Sequence, residues 1–346
     1  MNNTVNLVND QTTIGIDLAK NVFHIFTYDA NGKPMKKKLN RNEVLHFFAK
    51  VPPCLVAMEA CGGAHYWARE IQKFGHQTLL LNAGFVKSFV INHKNDFIDA
   101  EAIHTAALRP NKRTVATKTI AQQDMQMLHG FRQSLVDERT ALVNKIRGHL
   151  SEYGIVVPKC ISRIRNALPE ILENKNESLS ILGKRLFTEM QAQLIELDGK
   201  IAQKDQEIKG LCQQNDLSKR LLDIPGIGPI SASLIASDIG DGSAYKTCRD
   251  YAASIGVVPK QHSSGGKQVL LGITKNGNKR IRTLLIHGAR AVIAKCSGKS
   301  DSLSLWLQSL VERRGFNKAA VALANKNARI IWSLTKTGKE YEACVA

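Results

Sequence analysis

The 346-residue sequence has no C-x-x-C pair; its seven cysteines (Cys54, Cys61, Cys160, Cys212, Cys248, Cys296 and Cys344) are scattered and odd in number. That argues against a zinc module and for a reducing compartment. No stretch approaches the roughly 18 apolar residues a membrane helix needs, and no basic leader with an apolar core opens the chain. A soluble, cytoplasmic protein without a membrane partner is expected. Acid is also missing from one long window. Between Tyr251 and Ser300 there is no Asp or Glu, but there are nine bases: Lys260, Lys267, Lys275, Lys279, Arg280, Arg282, Arg290, Lys295 and Lys299. A solvated face usually mixes signs, so a window of one sign predicts phosphate contact.

The chain as a whole carries +18 at pH 7, which favours a polyanionic partner over an acidic small molecule. Most of this lies at one end: net +5 over residues 1–115, +1 over 116–217 and +12 over 218–346. Apolar content of 43% is ordinary, and the length suggests two or three domains.

From Thr12 to about Arg109 the pattern predicts mixed α/β structure. Thr13–Leu18, Phe23–Tyr28 and, after the turn Asp29-Ala-Asn-Gly, Pro34–Leu39 form a three-strand meander. A helix at Arg41–Lys50 is stopped by Pro52-Pro53, then come a buried strand Cys54–Met58, a helix His65–Phe74, a strand Gln77–Leu81 and a helix Asp96–Leu108. That order is the order of a ribonuclease H-like domain, although other α/β folds share the periodicity. Residues 120–215 lose the strand signal. Leu128, Leu135 and Leu142, then Met190, Leu194, Leu197, Ile201, Ile208 and Leu211, with Lys204 the polar exception, predict a coiled coil or an antiparallel helical pair. Gly154–Asn176 reads as the irregular connection between the two helices. Beyond Ser218 come a helix, the turn Pro225-Gly-Ile-Gly-Pro, a second helix, a loop Pro259–Gly266 and a helix at Asn278–Ala294.

Four acids carry the first chemical signal. Asp17 ends the first strand, Glu59 follows the fourth, which neighbours the first in a ribonuclease H-like sheet, and Asp96 and Asp99 share a helix face. Glu101 points away. Carboxylates converging from rigid elements suit Mg²⁺, with Mn²⁺ as a substitute, in phosphodiester chemistry. The bland alternative is a set of surface acids, with Asp96 a helix N-cap. Gly226 and Gly228 fit a helix-hairpin-helix whose backbone N–H groups hold a phosphate, or else a packed helix corner. In His262-Ser-Ser-Gly-Gly-Lys267, a hydroxyl beside glycines and bases can attack phosphorus, or the segment is a plain flexible loop.

These motifs resemble the DEDD transposases of bacterial insertion sequences, relatives of the Piv-type invertases and of bridge-RNA-guided recombinases. The resemblance rests on six segments in order: Ile14-Gly-Ile-Asp-Leu-Ala-Lys-Asn, Met58-Glu-Ala-Cys-Gly-Gly-Ala-His, Lys94-Asn-Asp-Phe-Ile-Asp-Ala-Glu-Ala, Ile224-Pro-Gly-Ile-Gly-Pro, His262-Ser-Ser-Gly-Gly-Lys and Ile273-Thr-Lys-Asn-Gly-Asn-Lys-Arg. It implies a RuvC-like α/β domain (1–115), a helical coiled-coil and dimerisation region (116–217), and a mainly α C-terminal transposase domain (218–346) with the helix-hairpin-helix. It assigns Asp17, Glu59, Asp96 and Asp99 to metal and Ser264, with Ser263 as runner-up, to the nucleophile of a phosphoserine intermediate. Donor and target DNA, a structured guide RNA and a dimeric or tetrameric assembly are implied as partners. A hydrolytic nuclease or junction resolvase, and a non-catalytic architectural binder, are the rival readings of the same residues.

Overall fold

The computed structural model describes residues 12–91, 95–173 and 179–343. Lys94, the last residues of the Gly154–Asn176 connection and Cys344 lie outside them. The chain divides into two compact units, Met1–Thr119 and Ile120–Ala346.

The first unit holds a six-stranded sheet in the order β3-β2-β1-β4-β5-β6. The strands are β1 (Thr13–Asp17), β2 (Val22–Tyr28), β3 (Pro34–Asn40), β4 (Leu55–Glu59), β5 (Gln77–Leu81) and β6 (Thr114–Val115). The helices are α1 (Val44–Lys50), α2 (Ala64–Gln72), α3 (Ala83–Val86) and α4 (Asp96–Ala107). The meander forms as expected: Asp29 Oδ1 accepts from the Asn31 and Lys33 N–H groups at 2.9 and 2.8 Å, and Gly32 takes φ +74°. β1 pairs antiparallel with β2 and parallel with β4, Ile16 lying opposite Met58. This is the neighbour relation the acid arrangement requires. β6, at two residues, is too short to leave a period in the sequence.

Alternation along the strands sorts side chains to two faces. Ile14, Ile16, Phe23, Ile25, Val56, Met58 and Leu80 bury against α1 and α2. Ala57 and Leu81 face the other way, onto α4 with Ala102, Ile103, Ala106 and Ala107. Gly15 shares that second face. A Cβ there would lie 2.7 Å from the His104 nitrogen and 2.9 Å from its Cβ, so only glycine lets α4 settle on β1. Asp17 and Glu59, two residues beyond Gly15 and Ala57, fall on the α4 side by the same alternation.

The second unit is mostly helical: α5 (Ile120–Glu152), α6 (Ile161–Glu173), α7 (Ile181–Gln214), α8 (Asp216–Leu222), α9 (Pro229–Ile239), α10 (Cys248–Ile255), α11 (Lys279–Ile293), α12 (Ser302–Arg314) and α13 (Phe316–Thr337), with strands β7 (Pro259–Gln261) and β8 (Leu270–Ile273). α5 and α7 pack together, burying Leu135, Leu142, Leu194, Leu197 and Ile201 in one cluster. Arg132 pairs with Asp205 and Arg139 with Asp198, seven residues on in one helix and seven back in the other, so the pair is antiparallel. The expected irregular connection is corrected: 13 of its residues form α6, with Pro169 inside the helix. Burial of Ile164 and Leu168 and the Arg165–Asp198 ion pair hold this helix to its neighbours despite the missing N–H. α9 is buried along nearly its whole length, as an apolar helix with no polar face must be, and packs with α5, α7, α8 and α11.

Candidate active site

β1 and α4 supply the central feature of the first unit. Asp17, Asp96 and Asp99 each offer a carboxylate oxygen, and these oxygens all lie within 4.8 Å of one another. The local sequence explains the convergence. Asn95, rather than Asp96, caps α4: its side chain accepts from the Phe97 N–H at 2.9 Å, leaving Asp96 and Asp99 in the first turn, where the helix end favours negative charge. The capping alternative for Asp96 therefore falls away. Glu59 stands at the end of β4, beside β1, and is not one of the three clustered carboxylates. Its charge still reaches Asp17.

Electrostatics mark the same centre. Asp17 is pushed up from 3.8 to about 6, first by burial and then by Asp99, Asp96 and Glu59, against the pull of His24. A half-buried aspartate that resists ionising beside other acids is what a divalent cation would relieve.

His24 is a neighbour that sequence reading missed. It lies opposite Asp17 in the β1–β2 register, is buried, and packs edge-on against Phe97 at 4.6 Å. Its Nδ1 has no hydrogen-bond partner and stands 3.7 Å from Asp96 Oδ2. The signal was available as a polar residue on the inward face of an apolar strand, but nothing in one sequence gives its partner.

In the second unit, the expected Pro259–Gly266 loop is instead part of a β7–β8 hairpin. Lys267 N–H donates to Ser264 O at 3.1 Å, and the two residues between, Gly265 and Gly266, take φ +56° and +78°. A two-residue hairpin turn with both central residues left-handed demands this glycine pair. Ser264 thus opens the tip of an exposed hairpin, whereas Ser263 Oγ accepts from Gln261 Nε2 at 2.9 Å.

Comparison with known proteins finds matches in both units. The profile of the DEDD transposases of the IS110 group matches residues 14–155, and that described as "Transposase IS116/IS110/IS902 family" matches 218–303. A "Probable family 20 transposase" of Pseudomonas aeruginosa is 46% identical over 93% of this chain and 96% of its own. The chain belongs to the IS116/IS110/IS902 transposase family. Two further relatives are 42% identical: the "Transposase for insertion sequence element IS1111A" of Coxiella burnetii, over 96% of this chain and 92% of its own, and that for IS1328 of Yersinia enterocolitica, over 94% and 97%. It is accordingly an enzyme of the transposase type.

For this transposase, the remaining sequence-based site residues separate into two groups. Lys260, Lys267, Lys275, Lys279 and Arg290 are exposed. Arg282 is not available to a phosphate. It is buried at 8% exposure, and its guanidinium donates to Ile255 O at 2.8 Å and Asn276 O at 2.7 Å. Its periodicity matched the basic face, but a fork of donors was needed where the hairpin base meets the end of α10. Arg280 is half-buried, with its pKa lowered by burial and by Arg132. Gly226 also has a packing role. At φ +89°, a Cβ there would sit 2.8 Å from Gly288 O, so the turn presses its backbone onto α11. Gly228 has open space around it and caps α9. No described helix is long and apolar enough to cross a membrane.

Proposed function

We propose that this transposase cuts and rejoins DNA through a phosphoserine intermediate, with Mg²⁺ held by Asp17, Asp96 and Asp99 and with Glu59 at the margin of the site. The observation that supports it most is the convergence of three carboxylates from β1 and α4, at a place where burial first and the neighbouring acids next raise Asp17 to about 6. Mg²⁺ held by these aspartates would supply positive charge to offset that of the reacting phosphate, and Mn²⁺ would serve in its place. The aspartates orient the phosphodiester for in-line attack. Ser264 Oγ forms a bond to phosphorus, giving up its proton, as the bond to one strand oxygen breaks; that oxygen leaves as a hydroxyl, taking up a proton in exchange. A hydroxyl from another strand then attacks the same phosphorus and releases the serine. Exposure at the tip of a glycine turn supports Ser264 as the attacking group over Ser263, whose hydroxyl is already engaged by Gln261. His262, exposed on the same hairpin, is given no step.

The finer architecture belongs to the same reading. The meander with β4 beside β1 is a ribonuclease H or RuvC-like core, the α5–α7 pair is a coiled-coil region through which copies associate as a dimer or tetramer, and residues 218–346 form the transposase domain. The α8–turn–α9 segment meets phosphate through the helix-hairpin-helix end at Gly228, Gly226 being occupied by packing. Lys260, Lys267, Lys275, Lys279 and Arg290 hold donor and target DNA, and a structured guide RNA selects the sites by base pairing.

Substitution tests the chemistry. Asp17→Asn and Asp96→Asn are expected to abolish recombination while DNA binding persists. Binding and recombination both unaffected would mean a non-catalytic architectural role. The Ser263→Ala, Ser264→Ala double variant is expected to stop cleavage, and cleavage that persists would establish a hydrolytic nuclease instead. Sequencing of RNA that copurifies with the protein, followed by recombination with and without it, tests the guide.

A further inference from the structure

Beside the carboxylates, on the carboxyl edges of β1 and β4, a pocket of about 470 Å³ opens, within the range of sites that hold small ligands. It is lined by Leu18, Lys20, Arg41, Cys61, Tyr66 and Trp67, among others. Leu18 directly follows Asp17 at the end of β1, and Cys61 stands two residues past Glu59 at the end of β4, so the lining continues from both acid-bearing strand ends. The two cations are not drawn into ion pairs with any acid among the described residues. Arg41 instead lies over the Trp67 ring at 5.0 Å and donates one N–H to Lys20 O at 3.1 Å, an arrangement that fixes its fork at the pocket wall. Tyr66 keeps its ring 41% exposed at the rim, set edge-on to Trp67 at 5.2 Å.

A pocket that combines two unpaired cations with an exposed aromatic face has the chemistry to take one nucleotide of a single strand. We infer that this pocket is the strand-positioning subsite of the transposase. Lys20 and Arg41 clamp a backbone phosphate next to the scissile one, and the base of that nucleotide stacks on Tyr66. The inference rests on the reading of the aspartates as the cleavage centre and adds the residues that align the strand to them. DNA is the occupant because the pocket adjoins the carboxylates where the DNA phosphate reacts. None of the three residues exchanges protons with substrate, so their part is alignment. Any base offers a π-face, so the subsite is tolerant of sequence.

The experiment uses the full chain and short single-stranded oligo(dT) carrying photoreactive iodouracil, with an oligo(rU) and a free thymidine monophosphate arm. Crosslinking with peptide mapping is chosen because it reads the pocket locally, apart from the basic hairpin. Oligo(dT) is expected to crosslink at Tyr66. Tyr66→Ala is expected to weaken binding roughly tenfold while Tyr66→Phe holds it, as loss of one stacked base implies. Lys20→Gln and Arg41→Gln should each reduce the slope of log affinity against log salt by about 0.7, as loss of one single-strand phosphate contact implies. In Mg²⁺-dependent cleavage Tyr66→Ala, Lys20→Gln and Arg41→Gln should raise KM more than they lower kcat, with melting temperatures unchanged in Lys20→Gln and Tyr66→Phe.

Unchanged affinity and salt slope in Tyr66→Ala, Lys20→Gln and Arg41→Gln would overturn the subsite while leaving the cleavage reading intact. Crosslinking of oligo(rU) in preference to oligo(dT), or of the free monophosphate alone, would overturn the assignment to a DNA strand. Asp17→Asn should keep the Tyr66 crosslink and lose cleavage. If that variant still cleaves, the cleavage reading fails, and the subsite loses its place beside a scissile bond.

Discussion

Replacing Gly15 with alanine adds one methyl at the closest approach of β1 and α4. That methyl would lie 2.7 Å from the His104 nitrogen and 2.9 Å from its Cβ, and inside the contact distance of Ala100 O. Ordinary carbon contacts are about 3.5–4.0 Å, so α4 must back away by roughly 0.6–1 Å. Overpacking of this kind costs about 1–3 kcal/mol, a fall of several degrees in melting temperature. The functional cost is larger, because Asp96 and Asp99 ride on α4 and Asp17 does not. A misplacement of about 1 Å at a reacting centre is worth roughly a hundredfold in rate. Gly15→Ala should therefore remain folded, with native far- and near-ultraviolet circular dichroism, yet cleave DNA about a hundredfold more slowly and lose most of the Mg²⁺-induced rise in melting temperature. Wild-type cleavage together with a wild-type Mg²⁺ shift would refute the argument that the β1–α4 contact sets the carboxylate geometry.

Asp17, at about 6 in the folded state against 3.8 ordinarily, holds its proton better folded than unfolded. Its contribution to metal-free stability is thus fully present below about pH 4 and is lost as the pH rises through about 6. Mg²⁺ competes with that proton, so the Mg²⁺-induced thermal shift should grow with pH across the same interval; a shift that is flat with pH would detach Asp17 from the metal. Arg282→Met leaves the buried carbonyl of Ile255, and that of Asn276, without their donor and should destabilise the second unit by about 1–3 kcal/mol in denaturant unfolding, with no change in the salt dependence of DNA binding. Unaltered stability with a shallower salt slope would instead return Arg282 to the phosphate-binding face. Gly288→Ala should cost about 1–3 kcal/mol through its clash with Gly226, whereas Gly228→Ala, with open space at its Cβ, should leave the melting temperature unchanged.

Much of the first unit is legible because its strands are short and punctuated, so strand order alone puts Asp17 and Glu59 at the ends of neighbouring strands. The step of three from Asp96 to Asp99 puts both on one helix face. His24 was not legible, because its meaning depends on β2 pairing with β1 so that it faces Asp17 and Asp96. In the second unit the seam of α5 and α7 was visible as a seven-residue repeat, but α6 was hidden by Pro169, which reads as a breaker until burial of Ile164 and Leu168 offsets it. Arg282 misled for the opposite reason. Helical spacing placed it with Lys279 and Arg290, while the carbonyls that bury it belong to segments up to 27 residues away. The serine hairpin has the sequence of a loop because β7 is three residues long and β8 four, too brief to declare a period.

The central claim is that a serine of the hairpin becomes covalently joined to DNA. The direct measurement is to incubate the transposase with end-labelled donor DNA, any RNA that copurifies with it and Mg²⁺, quench in detergent, and map any protein–DNA adduct by mass spectrometry. The expected result is a phosphoserine adduct at Ser264 that forms in the wild type and Ser263→Ala, and is absent from Ser264→Ala and Asp17→Asn. Cleaved DNA with no adduct in any variant would contradict it.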